Sequence, residues 1–234
     1  MSRLDKFGEI LDSYEGRHLD VCPSVVFNNM EWEAIAPRTG DNKKGFCYDD
    51  SQQRIITTGY ERHASSAEAF SLIIAHLENR LSPELDDVVQ AMLAGAGEFF
   101  CQAIETVQGE KGGTLLYFYE LVTALPRSAA IDTSYDKSGL KNNGVLVYDV
   151  NLESDRFYSF KDIYSRHAVC DLLIKYLTSR SFNDLPEEIK EKGGIYLPTP
   201  GKMWPVGRND VGIVSCNGNW ASRGVRHAQK KVAK

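Results

Sequence analysis

Cysteine is sparse and scattered. The chain has 234 residues and five cysteines, Cys22, Cys47, Cys101, Cys170 and Cys216. The number is odd and no Cys-x-x-Cys pair occurs, which argues against a disulfide framework or a cysteine-based structural zinc site. Reduced thiols packed as small apolar side chains are expected. Long apolar runs are missing too. None approaches the ~18 residues of a membrane helix, and Glu78, Arg80, Asp86 and Asp87 interrupt the helical stripes. The first residues lack the apolar stretch of a secretory signal, so a cytoplasmic location with no membrane partner is expected. Gly-x-Gly-x-x-Gly, Walker-type and Gly-x-Ser-x-Gly loops are absent, which removes the common nucleotide and serine-hydrolase fingerprints. Positive charge is also in deficit, with 27 Lys and Arg against 32 Asp and Glu and a net charge of −5.

A hydrophobic content of 42% is ordinary for a globular protein and supports a sizeable core. The fold class read from the pattern is α+β: a central helix-turn-helix pair packed on a small, mostly antiparallel sheet, with an irregular C-terminal arm. A short helix is expected over residues 2–14, and short strands near 25–27, 31–36 and 54–58. Ser65 and Glu68 have capping-box spacing, and Phe70, Ile73, Ile74, Leu77 and Leu81 follow as one apolar stripe. Ser82-Pro83 starts a second helix, whose three-and-four spacing continues through Phe100, Ala103, Ile104 and Val107. Strands are expected at 115–123 and, antiparallel to it, 145–153, with a polar loop between them over 126–144. Helices are expected at 160–179 and 186–192, the second stopped by Gly193-Gly194. Residues 1–192 then form a single α+β domain. Residues 193–234 form an irregular arm and a basic tail, with a strand at most near 211–215.

Few residue groups carry recognisable chemistry. Asp149, Asn151, Glu153 and Asp155 have the spacing of a calcium loop but lack its turn glycine and its closing glutamate, and they alternate with apolar residues as a strand would. Glu188 and Lys190 match a nuclease pair in letters only, because they follow Pro186 in an expected helix. His167 with Cys170 lacks a second pair at ligand spacing, and Cys22 with His18, like Cys47 with His63, offers a thiol and an imidazole that nucleophilic chemistry would need. Cys47, Asp49, Arg62 and His63 are the candidate catalytic residues: a thiol needs a nearby imidazole or cation to become a nucleophile. No metal site and no cofactor are expected.

The last twelve residues carry five Lys or Arg, one His and no acid, so all of the net negative charge lies in the preceding body. Residues 211–222, just before this tail, carry no charge at all. Trp220, Arg223, Arg226, His227, Lys230, Lys231 and Lys234 are the candidate residues for binding a protein partner or nucleic acid. Residues Asn217 to Arg226, Asn-Gly-Asn-Trp-Ala-Ser-Arg-Gly-Val-Arg, resemble the Gly-Ser-Trp and Arg-rich endings of formylglycine-generating-enzyme-like domains. The likeness covers that run alone, the helical middle of the chain does not share it, and no residue role is carried over. The expected role is a non-enzymatic interaction or structural subunit of a larger intracellular assembly, docking through the arm and tail to a protein partner or a second copy. The alternatives are a nucleic-acid-binding accessory protein and a small enzyme with a Cys/His/Asp site.

Overall fold

A computed structural model describes residues 24–28, 30–33, 59–94, 98–108, 114–120, 131–132, 152–166, 170–197, 199–200, 202–209, 212–215 and 224–227. The chain opens with β1 (Ser24–Phe27) and β2 (Met30–Glu33), then β3 (Arg62–His63). Two helices follow, α1 (Ser66–Leu77) and α2 (Pro83–Ala94), and after them β4 (Glu98–Gln108), β5 (Thr114–Glu120) and β6 (Ile131–Asp132). Next come β7 (Arg156–Ser159), α3 (Phe160–Arg166), α4 (Cys170–Thr178), a 3-10 turn (Phe182–Asp184) and α5 (Glu187–Lys192). The described chain closes with β8 (Gly194–Leu197), β9 (Lys202–Asn209), β10 (Gly212–Ser215) and β11 (Gly224–His227).

Helices are thus mixed with small antiparallel sheets, in agreement with the α+β class. β1 and β2 pair with Phe27 opposite Met30, which leaves a two-residue loop. Asn28 takes a φ of 49° there, a left-handed conformation that asparagine tolerates and short hairpins require. The first sheet has the order β1-β2-β11-β3, and β11 runs antiparallel to both neighbours. The second has the order β10-β9-β4-β5, with β6 also on β9. β7 and β8 form a two-stranded ribbon.

α1 is the hub. Ala69, Phe70, Leu72, Ile73, Ile74 and Ala75 are all fully buried. Phe70, Ile73 and Ile74 join the larger core with Phe100 and Ile104 of β4, Leu116 and Phe118 of β5, and Leu173, Ile174 and Leu177 of α4. Leu72 belongs to a second core with Met30, Trp32, Ala64 and Val89. The C-terminal end of α1 is closed by Asn79 at φ 55°: its N–H donates to the His76 carbonyl at 2.9 Å, and the Arg80 N–H donates to the Ala75 carbonyl at 2.8 Å. These are the two bonds of a Schellman motif. Nδ1 of His76 and Oδ1 of Asp86, 2.6 Å apart, tie α1 to α2.

The structure departs from the sequence reading at several places, among them the loop expected over 126–144, which contains the short strand β6. The second helix ends at Ala94, and residues 98–108 are a strand, not its continuation. β4 is central in its sheet, and Phe100 through Thr106 are all buried. A strand covered on both faces has no alternation to reveal it, so its apolar residues can fall at helical spacing by coincidence. The C-terminal arm is not irregular where it is described, because β8, β9, β10 and β11 are all regular strands. Pro205 did not prevent β9 from pairing; it sits opposite Ala103 beside a register irregularity, a place where a missing N–H is tolerated. The helix expected over 160–179 is present as α3 and α4 on either side of residues 167–169. The strand expected at 54–58, residues 145–151 of the strand expected at 145–153 and the helix at 2–14 lie outside the described residues, and Leu152 and Glu153 are in no strand.

Gly193 does not stop α5 by turning left-handed, since its φ is −72°. Space is what requires glycine. A Cβ on Gly193 would lie 2.6 Å from the Ile189 carbonyl oxygen and 2.9 Å from the Phe160 ring, and one on Gly194 would lie 2.7 Å from Cα of Ser159. The neighbouring Phe160 N–H donates to the Gly193 carbonyl at 2.7 Å, which fixes this approach. Gly194→Ala is therefore expected to lower stability by about 2 kcal/mol or more through overpacking, read as a lower urea midpoint, whereas Glu188→Ala on exposed α5 should change it by less than about 0.5 kcal/mol.

Candidate functional site

Two of the four candidate catalytic residues, Arg62 and His63, lie on β3; Cys47 and Asp49 lie outside the described residues. The Arg62 guanidinium donates to both oxygens of Glu68, each at 2.8 Å. Its Nη1 also donates to the His63 carbonyl at 2.9 Å and lies 3.9 Å from Sγ of Cys101. Glu68 Oε2 additionally accepts from the Ser65 N–H at 2.8 Å and the Ser65 hydroxyl at 3.0 Å. The Glu68 N–H returns a bond to Ser65 Oγ at 3.2 Å. This completes the capping box that the sequence pattern indicates.

β4 joins the same knot. The Ser66 N–H donates to Oε1 of Gln102 at 2.8 Å, and the Cys101 N–H donates to the Ala64 carbonyl at 3.0 Å. The imidazole of His63 is buried, 1% exposed. Arg62 and His63 thus sit where β3, α1 and β4 meet. Burial raises the Glu68 pKa, but the Arg62 and Ser65 hydrogen bonds and the Arg62 charge outweigh it and hold the carboxyl below its ordinary 4.5. A carboxylate held ionised with four donors is a poor proton acceptor near neutrality.

A groove of about 340 Å³ opens beside the knot, lined by Asn28 and Met30 of the hairpin, Trp32 of β2, Ala67, Glu68 and Ser71 of α1, and Ser179. The Asn28 side-chain amide donates to Ser71 Oγ at 3.2 Å and links the hairpin tip to the helix. Ser179, just after α4, has a φ of 63°. Trp32 is 2% exposed and its Nε1–H has no hydrogen-bond partner among the described residues, a donor that an acceptor or a water would stabilise. No sequence motif announces this groove; the Asn28-Asn29 pair was its one available signal, as the tight hairpin that brings β2 beside α1.

The remaining buried acid is Glu105 on β4, whose Oε2 accepts the Tyr119 hydroxyl at 2.7 Å. Burial first, and then this bond, push the Tyr119 pKa upward, which keeps the phenol protonated. At the surface, Arg180 donates to both oxygens of Glu78 at 2.6 and 3.2 Å. Glu188 pairs with Lys192 at 2.9 Å and Glu187 with Lys190 at 3.4 Å, the arrangement of an exposed helix face. Asp155 meets the Tyr196 hydroxyl. Among the described residues no group of three or more His, Cys, Asp or Glu could hold a metal ion. No helix of the described residues is long and apolar enough to cross a membrane.

Of the candidate partner-binding residues, Arg226 and His227 lie in β11, in register opposite Glu31 and Met30. Trp220, Arg223, Lys230, Lys231 and Lys234 lie outside the described residues. The sequence reading placed the tail beyond the body; the structure places its first residues inside a sheet.

The Glu68 knot predicts a pH dependence. A folded-state pKa below the unfolded value contributes stability that is fully present above the unfolded value, near 4.5, and is lost as pH falls through the folded value. Glu68→Gln should remove this part of the acid-side decline in urea midpoint, and Arg62→Ala should cost about 1–3 kcal/mol at pH 7 by leaving the carboxylate without its main partner. Equal acid sensitivity of the Glu68→Gln chain and the parent would refute the assignment.

No family model and no curated protein matches the chain. Among solved structures it is similar, at 10% identity and a TM-score of 0.42, to a chain from work on how massive sequence variation in Nanoarchaeota is accommodated by the C-type lectin fold; the match covers 89% of this chain and 99% of that one. A likeness this distant carries no functional argument.

Proposed function

We propose that the chain is a non-enzymatic interaction subunit of a larger intracellular assembly and that it docks through its C-terminal segment. The observation that supports this best is the position of β11, held between β2 and β3. A strand paired along both edges gives the residues that flank it a defined place on the sheet. Residues 216–223 lead into it and residues 228–234 leave from it, so two stretches rich in the candidate binding residues attach to fixed points of the fold. The docking element is narrower than the sequence alone indicated: β8, β9 and β10 belong to the fold, which leaves Trp220 and Arg223 before β11 and Lys230, Lys231 and Lys234 after it.

Charge supports the same reading. The final residues carry Lys without acid, and such a segment speeds encounter with an acidic surface and favours it over a basic one. The described part of the proposed catalytic cluster, Arg62 with His63, is taken up by the junction of β3, α1 and β4.

The test replaces Lys230, Lys231 and Lys234 by alanine in the full chain and measures the mass of the native complex and its dissociation constant. Weakening by about tenfold at low salt, with an unchanged melting temperature, is the expected result. A complex of unchanged mass and affinity would overturn the reading. So would a chain that binds mainly DNA or RNA with a steep salt slope, which would make it a nucleic-acid-binding protein.

A further inference from the structure

We propose that β11 is an exchangeable strand, and that the slot between β2 and β3 accepts β11 from a second copy of this chain. This rests on reading the C-terminal segment as the docking element and names its partner. The other strands of the first sheet all come from residues 24–63, whereas β10, which precedes β11 in the described chain, belongs to the second sheet. β11 therefore crosses from one sheet to another through a single connection and completes a sheet built by the far end of the chain.

Three features suit that strand to exchange. It is short, with three register pairs to β2 and two to β3, so few backbone bonds break when it leaves. A strand from another copy makes the same bonds in the same register, and for that reason an exchange of identical elements is a low-cost route to a dimer. The connection over 216–223 contains Gly218, no proline and no charge before Arg223. Fully extended, eight residues reach roughly 26–29 Å at about 3.3–3.6 Å per residue.

Charge and symmetry act in the same direction. The segment from residue 223 onward is basic and the body before it is acidic, so each copy presents the charge that the other's tail attracts. Each copy gives one strand and receives one, which closes the assembly as a two-fold dimer and keeps the facing edges of β2 and β3 paired.

The test uses the register. Opposite residues of an antiparallel pair have Cα atoms roughly 4.5–5.5 Å apart, inside the span that a disulfide bridges, and Arg226 lies opposite Glu31. Full-length R226C chains and full-length E31C chains are prepared separately, mixed at high concentration, diluted, and oxidised. Exchange predicts a disulfide joining position 226 of one copy to position 31 of the other, mapped by peptide mass spectrometry, about tenfold above the yield from R226C mixed with K161C. The yield should also rise with protein concentration during mixing. A yield no greater than the K161C control would overturn the proposal, whether or not the doubly substituted E31C/R226C chain closes within itself. Such a failure leaves docking to a different partner standing if the three-lysine variant still loses its complex, and the two ideas fail separately.

Discussion

α1 has almost no face to spare for water, and the rest of the described fold is arranged around that constraint. One side of the helix supplies Phe70, Ile73 and Ile74 to the core shared with β4, β5 and α4, while Leu72 reaches the core under β2. A helix enclosed in this way cannot leave its terminal N–H and C=O groups to solvent, so each must find a partner within the protein. At the N-terminal end Ser65, Glu68 and Gln102 supply them, and at the other end the backbone folds back at Asn79. The Arg62–Glu68 pair then extends the cap across to β3. The Glu68 carboxylate thus connects helix and strand, and Gln102 ties the same helix start to the neighbouring sheet.

That joint explains why Arg62 and His63 looked like chemistry from the sequence. A cation, an imidazole and a carboxylate gathered before a helix N-terminus are what an active site uses, and they are equally what a buried helix start uses. Sequence spacing cannot separate the two uses, because both exploit the positive end of the helix and its unpaired N–H groups. His63 is enclosed and Arg62 is committed to an acid of its own element's neighbour. On β4 and β5, Glu105 and Tyr119 form a polar pair within the sheet.

Elements defined by local chemistry were legible in the sequence. The Ser65 cap, the stripe of α1, Pro83 at the head of α2 and the short α5 all follow from interactions a few residues apart, and the structure has them. Elements defined by distant partners were not. β4 is a strand because β5 and β9 flank it, and β8, β9 and β11 are strands because each finds a neighbour far away in the chain, whereas β10, expected near 211–215, pairs locally with β9. Phe100, Ala103, Ile104 and Val107 fit a helical wheel as well as they fit a doubly covered strand. The groove below the hairpin was hidden for the same reason: Asn28, Trp32 and Ser71 meet only after β2 has been laid against α1.

The register of Trp32 with Val225 sets an order in time as well as in space. A ribosome delivers β2 and β3 long before it delivers β11, and during that interval their facing edges have no native neighbour. Local pieces such as α1 with its cap can form as they emerge, but the first sheet cannot close until residues 224–227 have left the exit tunnel. Its closure is a high-contact-order event that comes late and is slow relative to helix formation. The nascent chain thus carries two unfilled strand edges for most of its synthesis, and a chaperone that shields short strands would find its substrate in that window.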